Sequence, residues 1–178
     1  MRFSGALFLS QVWPVIREHC GGGRVVAVER PDGRASPGFA LLDLEAGIDY
    51  IQIDPDGVPF GLAVRVQECR GQSFDTFTVR RRTRHGRPTE LAKRLAALDK
   101  LHLKPLFSRW TIQAYVTASD RRSLVAVGVV PTVALLTHVK AGHEDEHWWL
   151  DQTTDAEFLY VPWTVLPSYW APFVWRAP

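Results

Sequence analysis

Between positions 80 and 109 the chain carries ten Lys or Arg residues (80, 81, 82, 84, 87, 93, 94, 100, 104 and 109) against only Glu90 and Asp99, a local excess of +8. The other 148 residues hold 11 basic and 17 acidic side chains, so the net charge of +2 conceals an uneven distribution. Guanidinium groups stay charged at physiological pH and match phosphate bidentately. A duplex with one charge per roughly 1.7 Å suits several of them in a row. Arg80, Arg81, Arg82, Arg84 and Arg87, with His85 among them and Lys93 and Arg94 just beyond, are therefore the candidate nucleic-acid contacts, with DNA the expected partner. The plain alternative is a solvated charged face paired with acids elsewhere, although such faces usually mix signs. Arginine outnumbers lysine 17 to 4, which a GC-rich coding sequence also produces.

A second constellation is Asp49, Arg65 and Gln67. Asp49 opens one strand of an expected hairpin and Gln67 lies near the end of the next, so the two side chains are expected to meet on one face of adjacent antiparallel strands. Arg65 shares the face of Gln67 by the two-residue strand period. Mg²⁺ is commonly held by one or two carboxylates together with substrate phosphates, and in hydrolysis it lowers the pKa of bound water and offsets developing charge. Asp49 is the candidate ligand. A polar pair that merely satisfies a sheet end is the alternative.

The order of these features carries a resemblance. A first helix containing Glu18 is followed by a strand opening with Gly47-Ile48-Asp49, a hairpin, a strand ending in Arg65-Val66-Gln67, then a helix and further strands. Over roughly residues 8 to 130 this order resembles the PD-(D/E)xK nuclease superfamily, the restriction-endonuclease-like fold. The resemblance implies a central mixed sheet flanked by helices and Mg²⁺-dependent phosphodiester hydrolysis. Asp49 would be the metal ligand, Gln67 the second site residue, and Glu18 a further ligand. Ile48 stands where the family has proline, and Cys69 stands two residues after Gln67, where the family has lysine. Arg65 or Arg80 would then replace the lysine. Glu68 is the nearby acid, and its side chain points to the opposite face unless a bulge intervenes. The chain thus reads as a nuclease with a variant site or as a non-catalytic nucleic-acid-binding or assembly module on the same fold.

His143-Glu144-Asp145-Glu146-His147 is a literal H-E-x-x-H, which on a helix places two imidazoles on one face for Zn²⁺ with the glutamate as base. Its context argues against a zinc hydrolase. Gly142 directly precedes it, both intervening residues are acidic, and the preceding helix is expected to end near Lys140. Asp151, Asp155 or Glu157 would have to supply the third ligand.

The elements that must position these groups follow from periodicity. The length suits one domain over 1–178 of mixed α/β class. Residues 6 to 19 have helical spacing, with Pro14 kinking or restarting the helix and Gly21 to Gly23 ending it. Strands are expected at 24–28, 39–44, 48–53, 60–68 and 74–80, with Asp54-Pro55-Asp56-Gly57 as a hairpin turn. Pro88 suits the first position of a helix in which Leu91, Leu95 and Leu98 recur. Further strands at 110–116 and 123–130, a helix after Pro131, a polar loop at 141–157 and a strand at 158–166 complete the chain. The aromatic tail, SYWAPFVWRAP, is expected to pack over a sheet edge, and its rings are also candidates for contact with a protein partner or a second copy. No run reaches a membrane span. Two cysteines make no disulfide framework, and a reducing cytoplasm is expected.

Overall fold

The computed structural model describes residues 2–28, 47–70, 72–83, 89–100, 107–118, 122–143, 148–151 and 156–178. The first helix, α1, runs as α-helix over Arg2–Leu7, widens to π-helical geometry over Phe8–Val12 and returns to α over Trp13–Ile16. Pro14 falls in that last piece without restarting the helix, since Val12 and Trp13 at the join both keep αR geometry, and the widened π-helical stretch lies just before it. The remaining elements are β1 (Arg24–Ala27), β2 (Tyr50–Ile53), β3 (Pro59–Cys69), β4 (Thr76–Thr83), α2 (Glu90–Asp99), β5 (Ser108–Thr117), β6 (Leu124–Pro131), α3 (Thr132–His138), β7 (Trp148–Asp151), β8 (Ala156–Pro162) and β9 (Phe173–Arg176). The expected strand at 39–44 lies outside the described residues.

Six strands form one mixed sheet in the order β1-β2-β3-β5-β6-β9. Only β3 and β5 run parallel, joined through β4 and α2, and every other neighbouring pair is antiparallel. The β2–β3 hairpin closes as its turn chemistry predicts, with Val58 donating to Asp54 Oδ1 at 2.8 Å. One face of the sheet buries Tyr50, Leu62, Ile112 and Val127 against Phe8, Val12 and Ile16 of α1. Gln52, fully buried on that face, donates to the carbonyls of Cys20 and Gly22 and so caps the chain leaving α1.

The opposite face buries Tyr115, Ala126 and Val130 against Leu91 of α2, Leu135 and Leu136 of α3, and strands β4 and β8. Those two strands belong to a second, three-stranded antiparallel sheet in the order β4-β8-β7. The mixed α/β class therefore stands, with a second sheet that the periodicity did not reveal. Part of the expected polar loop at 141–157 is strand: β7 pairs with β8, Trp148 opposite Leu159. The tail does more than cover an edge. Its last residues become β9, which lengthens the large sheet beyond β6. Arg176 holds it in place through a bidentate pair with Asp75, at 2.9 and 2.7 Å.

Candidate functional site

Asp49 is fixed from three directions. Its backbone N–H donates to Leu62 O at 2.9 Å and its carbonyl accepts from Val28 at 3.0 Å. Its carboxylate Oδ2 accepts the Val64 N–H at 2.7 Å, so the side chain continues the ladder of β3 where β2 ends. The preceding Ile48 is 1% exposed and lies against Gly61, where an added Cβ would come within 2.7 Å of Ile48 Cδ1. Gly61 thus makes room for the apolar anchor that stands in place of proline. One residue earlier, Gly47 has φ +59, and its carbonyl accepts from Arg94 Nη2 at 3.3 Å.

Arg94 is 2% exposed and ion-paired with Glu90 one helical turn before it. Counted among the nucleic-acid contacts from sequence, it is instead a buried support for the segment that delivers Asp49. The helix that carries it starts later than expected. Thr89 is the N-cap, its hydroxyl accepting from Ala92 N and donating to Arg81 O, so Glu90 and not Pro88 is the first helical residue.

The described part of the basic run does not form one surface patch. In β4 a bulge leaves Arg80 opposite Phe158 and Arg82 opposite Glu157. Those partners are consecutive, so Arg80 and Arg82 point to opposite faces of the small sheet. Arg82 is exposed and lies 3.6 Å from Glu157 Oε2. Arg81 and Lys93 are half-buried. Arg84, Arg87 and His85 lie outside the described residues.

Arg80 turns towards the large sheet. Its guanidinium carbon lies 5.6 Å from the centre of the Phe158 ring, and that of Arg65 lies over the same ring at 4.4 Å. Two half-buried arginines from separate sheets therefore converge on one buried aromatic ring. Among the described residues neither has an ion-pair partner, because Glu90, the nearest carboxylate acting on Arg65, is already held by Arg94. Burial pulls the Arg65 guanidinium below its ordinary pKa; Glu90 opposes this, and the like charges of Arg80 and Arg94 add to it. Beside Arg65 in the parallel register stands Gln113, 1% exposed, whose Oε1 accepts from Thr78 N at 3.3 Å. Gln113 Nε2, Gln67 Oε1 and Arg80 Nε are buried and have no hydrogen-bond partner among the described residues.

Sequence reasoning named Arg65, Gln67 and Arg80, the last both as a nucleic-acid contact and as a replacement for the lysine, and it missed Gln113, Glu90 and Phe158. A lone amide inside the apolar run WTIQAYV was the available signal for Gln113. The expected meeting of Asp49 with Gln67 is displaced. Asp49 binds at Val64, three residues short of Gln67 and therefore about 10 Å from it along the strand. Glu68 faces away and pairs with Arg122 at 2.5 Å. Glu18 is exposed just beyond α1, which covers the face opposite Arg65.

Among the described residues no three His, Cys, Asp or Glu side chains come together as a metal site, so Glu18, Asp49 and Glu68 do not form one. Mg²⁺ asks for a shell of oxygens. Asp49 offers one carboxylate that already accepts an N–H, and the two arginines without an ion-pair partner among the described residues, Arg65 and Arg80, suit an anion rather than a divalent cation. In the third constellation, Gly142 adopts φ +109 and breaks helical geometry one residue before His143. Residues 144–147 lie outside the described residues, and β7 begins at Trp148. Cys20 and Cys69 are buried and unbridged, and burial pushes the Cys20 thiol up to about 12, far from a reactive thiolate.

No described helix is long and apolar enough to cross a membrane. No family model matches the chain, and no curated protein or solved structure matches it.

Proposed function

We propose that the chain engages nucleic acid through phosphate at the junction of its two sheets, as a binding module on a restriction-endonuclease-like core. One observation carries this reading: Arg65 and Arg80 converge on Phe158 with no ion-pair partner of their own among the described residues. Two desolvated like charges are costly unless something anionic joins them, and planar guanidiniums on an aromatic face are pre-organised for phosphate oxygens. The described succession of helix, three antiparallel strands, a strand of the second sheet, helix and a strand parallel to β3 supports the order on which the resemblance rests, with β4 as an addition to it. The buried, unbridged cysteines suit a reducing cytoplasm.

A second reading, metal-dependent hydrolysis, has its own observation. Asp49 is rigidly set at the start of β2, one residue along β3 from Arg65. Labelled single-stranded and duplex DNA and RNA, incubated with the protein with and without Mg²⁺, separate the two. Binding that is lost in Arg65→Gln and Arg80→Gln, kept in Asp49→Ala and unaccompanied by cleavage supports the binding module. Cleavage that requires Asp49 supports the hydrolase. Nucleic-acid affinity unaffected by Arg65→Gln and Arg80→Gln would overturn the junction as the contact.

A further inference from the structure

We infer that the junction takes a phosphate monoester, the phosphorylated end of a nucleic-acid strand, in preference to phosphodiesters within a strand or duplex. The inference rests on the phosphate-binding reading above and specifies its ligand.

Charge is the first argument. Glu90 is ion-paired with Arg94, which leaves Arg65 and Arg80 as two cations on one ring without an ion-pair partner of their own among the described residues. A phosphodiester brings one negative charge. A phosphate monoester carries about −1.5 to −2 at pH 7, with three oxygens to accept from the guanidiniums. The monoester is the closer match to two guanidiniums.

Shape is the second argument. Phe158 is 3% exposed and Gln113 1%. Gln113 Nε2, Gln67 Oε1 and Arg80 Nε are shut off from solvent, and only the half-buried guanidiniums open outward. These polar atoms thus lie under cover, and the two guanidiniums are what a ligand can reach. An internal phosphodiester carries a nucleotide on both sides and has to be presented along a surface, whereas a strand terminus can enter with its sugar trailing. A surface track of alternating cations would favour internal phosphates, but the bulge at Arg81 turns Arg80 inward and leaves Arg82 on the other face beside Glu157.

The test is fluorescence anisotropy with one labelled single-stranded oligonucleotide made in three forms: 5′-phosphorylated, 3′-phosphorylated, and hydroxyl at both ends. Inorganic phosphate and a nucleoside monophosphate serve as competitors. The expected result is an affinity about tenfold or more higher for a phosphorylated form, an advantage abolished in Arg80→Met, which also weakens the hydroxyl form. Thermal melting of the variant verifies that it is folded. Equal affinities for all three forms, lost together in Arg80→Met, would overturn the terminal-phosphate inference and leave phosphate binding standing. Competition by inorganic phosphate with no preference among strand ends would also overturn it, by assigning the arginine pair to free phosphate. No binding of any form would overturn the underlying reading itself.

Discussion

Replacing Arg80 with methionine removes one charge from the junction while keeping most of the side-chain stem. The two guanidinium carbons are no farther apart than their ring distances combined, about 10 Å. With an effective dielectric of about 20 their repulsion is at least about 1.7 kcal/mol. The substitution also forfeits a cation–π contact worth about 0.5–1 kcal/mol. In the absence of anion, Arg80→Met should therefore be about 1 kcal/mol more stable than the wild type, which for a chain of this size raises Tm by about 2–4 °C. Saturating phosphate should reverse the order. A ligand at a hundred times its Kd stabilises the wild type by about 2.7 kcal/mol, and the variant should gain almost nothing. Differential scanning calorimetry in a non-coordinating buffer, with and without phosphate, reads both effects. A variant that is less stable than wild type by more than about 1 kcal/mol without anion would refute the reasoning, since it would mean that the Arg80 guanidinium is already satisfied inside the protein.

Other consequences are simpler to measure. Arg94→Ala should cost about 3 kcal/mol in urea denaturation, because it strands Glu90 and frees the Gly47 carbonyl; a cost below about 1 kcal/mol would contradict its buried supporting role. Glu68→Ala removes only an exposed pair with Arg122, so stability should change by no more than about 1 kcal/mol. Nucleic-acid affinity should stay within about twofold, and a large loss would return Glu68 to the site. Asp75 is held below its usual value of 3.8, chiefly by its hydrogen bonds from Arg176. A carboxylate with a depressed folded pKa contributes stability fully above the unfolded value, and that contribution is lost as pH falls through the folded one. Asp75→Asn should accordingly flatten the decline in stability below about pH 4 relative to wild type; an unchanged acid limb would show that the pair with Arg176 contributes little.

Much of the framework was legible because local chemistry and tertiary structure agree. Asp54 to Gly57 could hardly be anything but a turn, and the alternation of IDYIQI and FGLAVRVQE placed β2 and β3 to within two residues of their observed limits. Leu91 and Leu98 already marked the buried stripe of α2, and Arg94 lies three residues after Leu91 on that same stripe. Its burial could have been read from spacing had its charge not suggested the surface.

Other features were hidden for physical reasons. Alternation tells which residues of a strand share a face but not which sheet the strand joins, so nothing in FDTFTVR announced a second sheet. A bulge adds one residue without a sequence mark of its own, and this one decided the site by parting Arg80 from Arg82. β7 is short and sits among acidic and polar residues, where periodicity has too few positions to register. Asp49 was found because it opens a strand after a glycine, but its bond to Val64 depends on where β2 stops pairing, which no local pattern specifies.

Arginine Nε–H resonances followed by NMR during titration with a phosphorylated oligonucleotide test the central assignment most directly. The Nε signals of Arg65 and Arg80 should shift together and saturate, while that of Arg94, held by Glu90 and Gly47, stays in place. Saturable shifts confined to Arg82 and other surface cations, with Arg65 and Arg80 unmoved, would contradict it.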